Sequence, residues 1–203
     1  MRKIGFVGYE SEDIILYLAA CLRKAGKRVA VEDKTEAGIL LRMLEKASAS
    51  GEETKWYCGI CVANSLSGKE EYDYVFLLFG YRVQHPKLYE CEYLIFVTDG
   101  MPAHAEVLHE VGQWERKQAM LIRNYTEAKH GSKYLELLVG QKQEQVFLLP
   151  WEERDMRKRY SLGQEEDITL SGLSGVMKNV IREMLLFLAS EYPDECRKRI
   201  GRR

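Results

Sequence analysis

Net charge, long apolar runs and paired cysteines are all scarce in this 203-residue sequence. Lys and Arg number 30 against 31 Asp and Glu, giving a net charge of -1. No global field therefore draws the chain to nucleic acid or to a membrane surface. The apolar runs are short, and none approaches the roughly 20 residues that a helical membrane span requires. Five cysteines, an odd and scattered set, do not suggest a disulfide framework. Met1-Arg2-Lys3 leads directly into a strand-like run, without the apolar core and small-residue cleavage site of a secretory signal. Internal repeats and low-complexity segments are lacking too. The expectation is a cytoplasmic protein with no membrane span, leaving peripheral membrane contact open. One local exception to the charge balance is Arg197–Arg203, where five of the last seven residues are basic.

What is present reads as one globular domain. Hydrophobic residues make up 46% and charged residues 30% of a chain long enough to bury a real core. Short apolar, β-branched or aromatic runs predict strands at Lys3–Tyr9, Arg28–Asp33, Trp56–Ala63, Tyr74–Phe79, Tyr93–Thr98, Ala119–Asn124 and Gln145–Pro150. Their near-continuous hydrophobicity suits strands covered on both faces. Helical patterns fall at Glu12–Ala25, Glu36–Ala47, Ala103–Arg116, Ser132–Val139 and Leu173–Ser190. Ser11 stands at the N-cap of the first of these and Gly26 at its stop. Ala47–Lys55 and Arg159–Gly175 read as loops. Strand–helix alternation with short connections predicts an α/β three-layer sandwich around a mostly parallel sheet of about seven strands.

The segment KIGFVGYESEDIILYLAACLRKAGKRVAVEDKTEAG resembles the opening of a MinD/ParA-type P-loop ATPase: strand, phosphate loop, helix, and a strand ending in Asp. Leu18-Ala19-Ala20, Leu22, Lys24, Gly26-Lys27-Arg28-Val29 and Asp33 fall in that family's places. Tyr72-Asp73-Tyr74-Val75-Phe76-Leu77-Leu78 is similar to its Walker B strand, and Glu92–Thr98 to the strand that follows. Leu121-Ile122-Arg123-Asn124 resembles the strand ending in a base-contacting Asn, and Phe147-Leu148-Leu149-Pro150 the late strand ending in Pro. No single piece is specific. The ordered set is, and it covers residues 1–190, leaving 191–203 as a basic tail.

The departures bear on function. The family's loop, GKGGVGK[ST], closes backbone N–H groups round phosphate, neutralises it with Lys and holds Mg²⁺ with Ser/Thr. The matching stretch here is Gly8-Tyr9-Glu10-Ser11-Glu12-Asp13, which is shorter, has one glycine and lacks both lysines. It places three carboxylates at the helix N-terminus, where they suit the helix dipole but occupy and repel the place of a phosphate. The Walker B acid is expected at Leu78, where there is none. Asp33 and Asn124 are retained. These nine positions are expected to form a vestigial nucleotide site with no catalytic residue, no metal and no cofactor, weak nucleotide binding being left open.

Other candidates have plainer readings. Ser11 is better read as an N-cap than as a nucleophile or Mg²⁺ ligand. Asp33 is equally a metal ligand or a solvated loop acid, and Asn124 also reads as strand-end turn chemistry. Cys58-Gly59-Ile60-Cys61 has CxxC spacing. It lies inside a strand-like run, with no helix to lower a thiol pKa and no nearby second ligand pair for zinc, so buried structural thiols are expected. His104 and His109, five apart, do not share a helix face as a metal pair would, and are expected at the surface. The basic tail has Ile200 as its one apolar anchor and is expected to be solvated.

Among degenerate members of the family, the chain resembles the ATPase-like domain of TadZ/CpaE proteins, which help to place Flp/Tad pilus machinery. That resemblance implies a non-catalytic localisation or assembly module with protein partners in a pilus or secretion system, a homodimer contact, and recruitment to a membrane-bound assembly. An atypical nucleotide-binding ATPase and a thiol redox module built on Cys58 and Cys61 are the alternatives.

Overall fold

The computed structural model describes residues 1–44, 54–66, 71–112, 115–126, 131–140 and 142–188. Eight strands form one sheet: β1 (Arg2–Gly8), β2 (Val29–Asp33), β3 (Thr54–Tyr57), β4 (Ile60–Ala63), β5 (Tyr74–Gly80), β6 (Tyr93–Thr98), β7 (Lys117–Tyr125) and β8 (Gln145–Pro150). Their spatial order is β3-β4-β2-β5-β1-β6-β7-β8, and every neighbouring pair is parallel except β3 with β4. The helices are α1 (Glu12–Lys24), α2 (Ile39–Met43), α3 (Pro102–Leu108), α4 (Gly131–Val139), α5 (Glu153–Ser161) and α6 (Gly175–Leu188).

Two apolar cores sandwich the sheet. Successive residues of a strand point to opposite faces, so Tyr74, Phe76 and Leu78 join Ile4 and Phe6 in one core, with α1, α2 and α6. Val75, Leu77 and Phe79 join Val7 in the other, with Ala105 and Leu108 of α3 and Leu135 and Val139 of α4. The expected α/β three-layer architecture is therefore present. Among the described residues no helix is long and apolar enough to cross a membrane.

The structure differs from the sequence reading in four elements. Trp56–Ala63 is a hairpin rather than one strand, which adds the antiparallel β3 and brings the sheet to eight strands. Cys58 (φ 49°) and Gly59 (φ 73°) both lie in the left-handed region, the backbone of a two-residue turn whose twist matches its flanking strands. The predicted Glu36–Ala47 helix contributes Ile39–Met43, with residues 45–53 outside the described set. The helix predicted over Ala103–Arg116 ends at Leu108 and tightens into a 3₁₀ turn at His109–Val111. The predicted loop Arg159–Gly175 begins inside α5, a polar helix with no apolar stripe to announce it. Asp155 locks that helix to the start of α6, accepting from the Ser174 backbone N–H at 2.7 Å and the Ser174 hydroxyl at 2.6 Å. The basic tail Arg197–Arg203 lies outside the described residues.

Candidate functional site

All parallel strands end on one edge of the sheet, and that edge gathers the nine positions of the expected nucleotide site. β1 ends at Gly8, whose φ of 111° belongs to glycine. A Cβ there would stand 2.1 Å from the Val97 carbonyl oxygen of β6, so no larger residue fits. The chain turns there, and the Tyr9 N–H donates to that same carbonyl at 2.7 Å.

The loop leads into α1 through Ser11. Ser11 occupies the N-cap, and its backbone carbonyl accepts from Ile15 at 3.0 Å, but its side chain makes no capping hydrogen bond. The sequence expectation of a hydroxyl cap is corrected: Ser11 holds the N-cap position through its backbone alone. Glu12 and Asp13, the acids of the first turn, suit the positive end of the helix dipole.

These acids are not left bare. Arg123, carried on β7, grips Asp13 with both arms, Nη1 to Oδ1 at 2.5 Å and Nη2 to Oδ2 at 2.9 Å. The same Nη1 donates to the Glu10 backbone carbonyl at 2.9 Å. Arg159, near the end of α5, bonds the Glu10 carboxylate and reaches Glu12 Oε2 at 3.2 Å. Burial raises the Asp13 pKa, but the Arg123 charge and hydrogen bonds, with help from Arg159, more than offset this and hold it low. Glu12 goes the other way. Burial raises its pKa, and one guanidinium at 3.2 Å does not repay that desolvation with Asp13 and Glu10 close by. Arg159 nevertheless has its own pKa raised, because Asp13, Glu10 and Glu12 all act on it. The carboxylates that the sequence places at the helix start are thus engaged by two guanidiniums. Three acids face two guanidiniums, and an internal ion cluster fills the mouth of the loop.

The remaining predicted positions have structural occupations. Asp33 is 1% exposed, neither a solvated acid nor an open ligand. Its Oδ1 accepts from the Thr35 N–H at 3.0 Å and hydroxyl at 2.6 Å, and its Oδ2 from the N–H groups of Leu40 and Leu41 at 2.8 and 3.1 Å. It anchors the start of α2, and four donors leave little for a metal. Leu78, beside Asp33 in the register of β2 and β5, is buried in the core. Asn124 has φ 52° at a register shift between β7 and β8, a left-handed bulge that Asn tolerates well.

Beside the loop, Tyr9 stacks on His104 with ring centroids 5.4 Å apart, and Tyr81 lies 5.8 Å from the same ring. His104 Nδ1 is 2.9 Å from Asp99 Oδ1, so His104 is half-buried and engaged rather than free at the surface. Burial, then Asp99, Tyr9 and Glu10, push the Tyr81 hydroxyl pKa up to about 12.

Sequence reasoning missed Arg123 and Arg159. A charged residue inside the apolar run Ala119–Asn124 was itself a signal, since a buried charge needs a partner; Arg159 had none. Cys58 sits in the hairpin turn, with its thiol 3.8 and 3.5 Å from the Glu165 and Glu166 carbonyl oxygens. Burial raises its pKa, opposite to what disulfide exchange requires.

Comparison of the sequence with protein-family models and with curated proteins finds no match. Solved structures do match. A ParA family ATPase from Chlorobium tepidum TLS superposes with a TM-score of 0.62 at 15% identity, over 92% of this chain and 97% of that one. The MinC:MinD cell division complex of Aquifex aeolicus gives 0.61 at 11% identity, over 100% and 97%. A protein from Borrelia burgdorferi B31 described as a plasmid partition protein, bound to AMPPNP, gives 0.63 at 11%, over 95% and 100%. At such identities the likeness establishes the fold, and the fold is that of the ParA and MinD P-loop ATPases.

Proposed function

We propose that this protein is a pseudo-ATPase, a localisation or assembly module that keeps the ParA/MinD architecture and works through protein contacts. The observation that carries the reading is the ion cluster of Arg123 and Arg159 with Asp13, Glu12 and the exposed Glu10. Phosphate binding in this fold draws on converging backbone N–H groups, a lysine and a held Mg²⁺. In this chain carboxylates paired with Arg123 and Arg159 stand at the start of α1, no lysine stands in the loop, and Leu78 offers no acid to a metal shell. The AMPPNP-bound neighbour shares the fold; what this chain lacks is the chemistry at the loop.

The MinD neighbour was solved as a complex with MinC, which supports looking for a protein partner here. The finer reading is a module of the TadZ/CpaE kind serving a Flp/Tad-type pilus or secretion assembly, recruited from the cytoplasm. A homodimer contact is proposed at the aromatic patch of Tyr9, Tyr81 and His104. Genes for pilus or secretion components beside this one would support the assembly reading, and their absence would count against it.

Titration calorimetry with ATP, ADP and Mg²⁺, together with a phosphate-release assay, tests the non-catalytic part. The expected outcome is no turnover and no dissociation constant below about 10 μM, equivalent to roughly 7 kcal/mol. Tighter binding would promote the atypical ATPase instead.

A further inference from the structure

At the opposite end of α1 from the loop, α1, α6 and residues 168–171 enclose a cavity of about 540 Å³, a size typical of small-molecule sites. Its floor is apolar, formed by Ala20, Ile168, Ile181 and Leu185, all buried. Its rim carries Lys24, Lys178 and Arg182, and among the described residues no acidic side chain lines it. Lys24 is committed elsewhere: its Nζ lies 3.0 Å from an Asp167 carboxylate oxygen and donates to the Ile168 carbonyl at 3.0 Å. Lys178 and Arg182 differ. They stand four apart on α6, hence on one face of it. Arg182 donates to the neutral amide oxygen of Asn179 at 3.3 Å. Among the described residues neither cation is paired with a carboxylate.

Two like charges one helical turn apart repel each other, and an anion between them removes that penalty. An apolar floor beneath an uncompensated cationic rim selects a ligand with both characters. We propose that this cavity binds a small amphiphilic anion, an alkyl or aryl carboxylate, with its apolar body against the half-buried Leu170 and Ala25 and its head between Lys178 and Arg182. The site is separate from the loop and does not depend on whether nucleotide binds there.

The test uses the full-length protein and decanoate, with decylammonium as the charge-reversed control and phosphatidylglycerol vesicles as the lipid-surface arm. Cys21 lines the cavity and is partly exposed, so bound decanoate should slow its alkylation by iodoacetamide severalfold, read by peptide mass spectrometry. Cys58 lies outside the cavity, and its rate should not change. Calorimetry should show one saturable decanoate site of sub-millimolar affinity and no matching site for decylammonium. The Lys178→Glu/Arg182→Glu variant, confined to side chains at the rim, should weaken binding roughly tenfold or more with an unchanged urea midpoint. Ala25→Phe, which narrows the mouth, should do so as well. Equal affinity for decylammonium, vesicle binding without decanoate binding, unprotected Cys21, or indifference to the charge reversal would each overturn the proposal.

Discussion

Arg123 and Asp13, 110 residues apart in sequence, form a two-point ion pair at 2.5 and 2.9 Å with side chains only 4% and 1% exposed. It ties β7, the sixth parallel strand in chain order, to the first turn of α1. Such a pair adds modest net stability, but removing one partner strands a buried charge. Arg123→Ala should therefore cost about 3–5 kcal/mol in urea denaturation. Combining Asp13→Leu with Arg123→Met should recover most of the loss. A mild effect of Arg123→Ala alone would mean that the pair is more hydrated than its burial implies.

The two buried acids of α1 should respond oppositely to acid. Asp13 has a lowered folded pKa, so its contribution is present above the ordinary aspartate value and is lost as pH falls through the folded one. Glu12 has a raised folded pKa, so its ionisation works against folding at neutral pH, and that cost disappears below its ordinary value of about 4.5. Glu12→Gln should raise the neutral-pH urea midpoint, with the gain vanishing below about pH 4.5. A gain independent of pH would show that the charge is not its cause.

The ordered strands and the loop position were legible because parallel strands buried on both faces leave continuous apolar runs. Gly8 was legible as the lone glycine of the loop. Three features were not. A hairpin turn reading Cys-Gly lacks the Asn or Asp that advertises a left-handed turn, so β3 and β4 merged into one run. α5 is held by Asp155 and Ser174 rather than by an apolar stripe, leaving no periodicity to detect. The retained Asp33 looked like chemistry because a residue type does not reveal its hydrogen-bond partners. Its four donors appear only once α2 folds back over β2.

The Cys58-Gly59 turn yields a backbone test. Gly59 has φ 73°, and a Cβ there would come within 3.2 Å of the Arg23 side chain. Gly59→Ala should destabilise by about 1 kcal/mol or more. Cys58→Asn, suited to the first position of such a turn, should be neutral or stabilising by thermal melting. It should also leave any cellular function intact. Loss of function in a well-folded Cys58→Asn protein would revive the thiol reading.

The aromatic patch offers a surface test of self-association. Tyr81 is 42% exposed and lies over His104 rather than in the core. Tyr81→Asp should preserve the fold and shift a dimer toward monomer in light scattering at micromolar concentration. A wild-type protein that is monomeric under those conditions would remove this contact from the proposal.

Restoring one charge should not restore an ATPase. Glu12→Lys puts a lysine near the place where a phosphate loop has one, yet the rest of the site would still oppose nucleotide. The new cation would face Arg159, which would lose one of its carboxylates. Asp13 would remain clamped by Arg123. Gly8 would still be the only glycine of the loop, too few for a backbone that wraps a phosphate. Leu78 would still supply no acid for the metal shell. The expected outcome is a less stable protein whose ATP dissociation constant stays above about 10 μM in the presence of Mg²⁺. Micromolar ATP binding by Glu12→Lys alone would show that the loop geometry was adequate and that a single carboxylate kept nucleotide out. The ion cluster would then be a lock on a working site rather than its replacement.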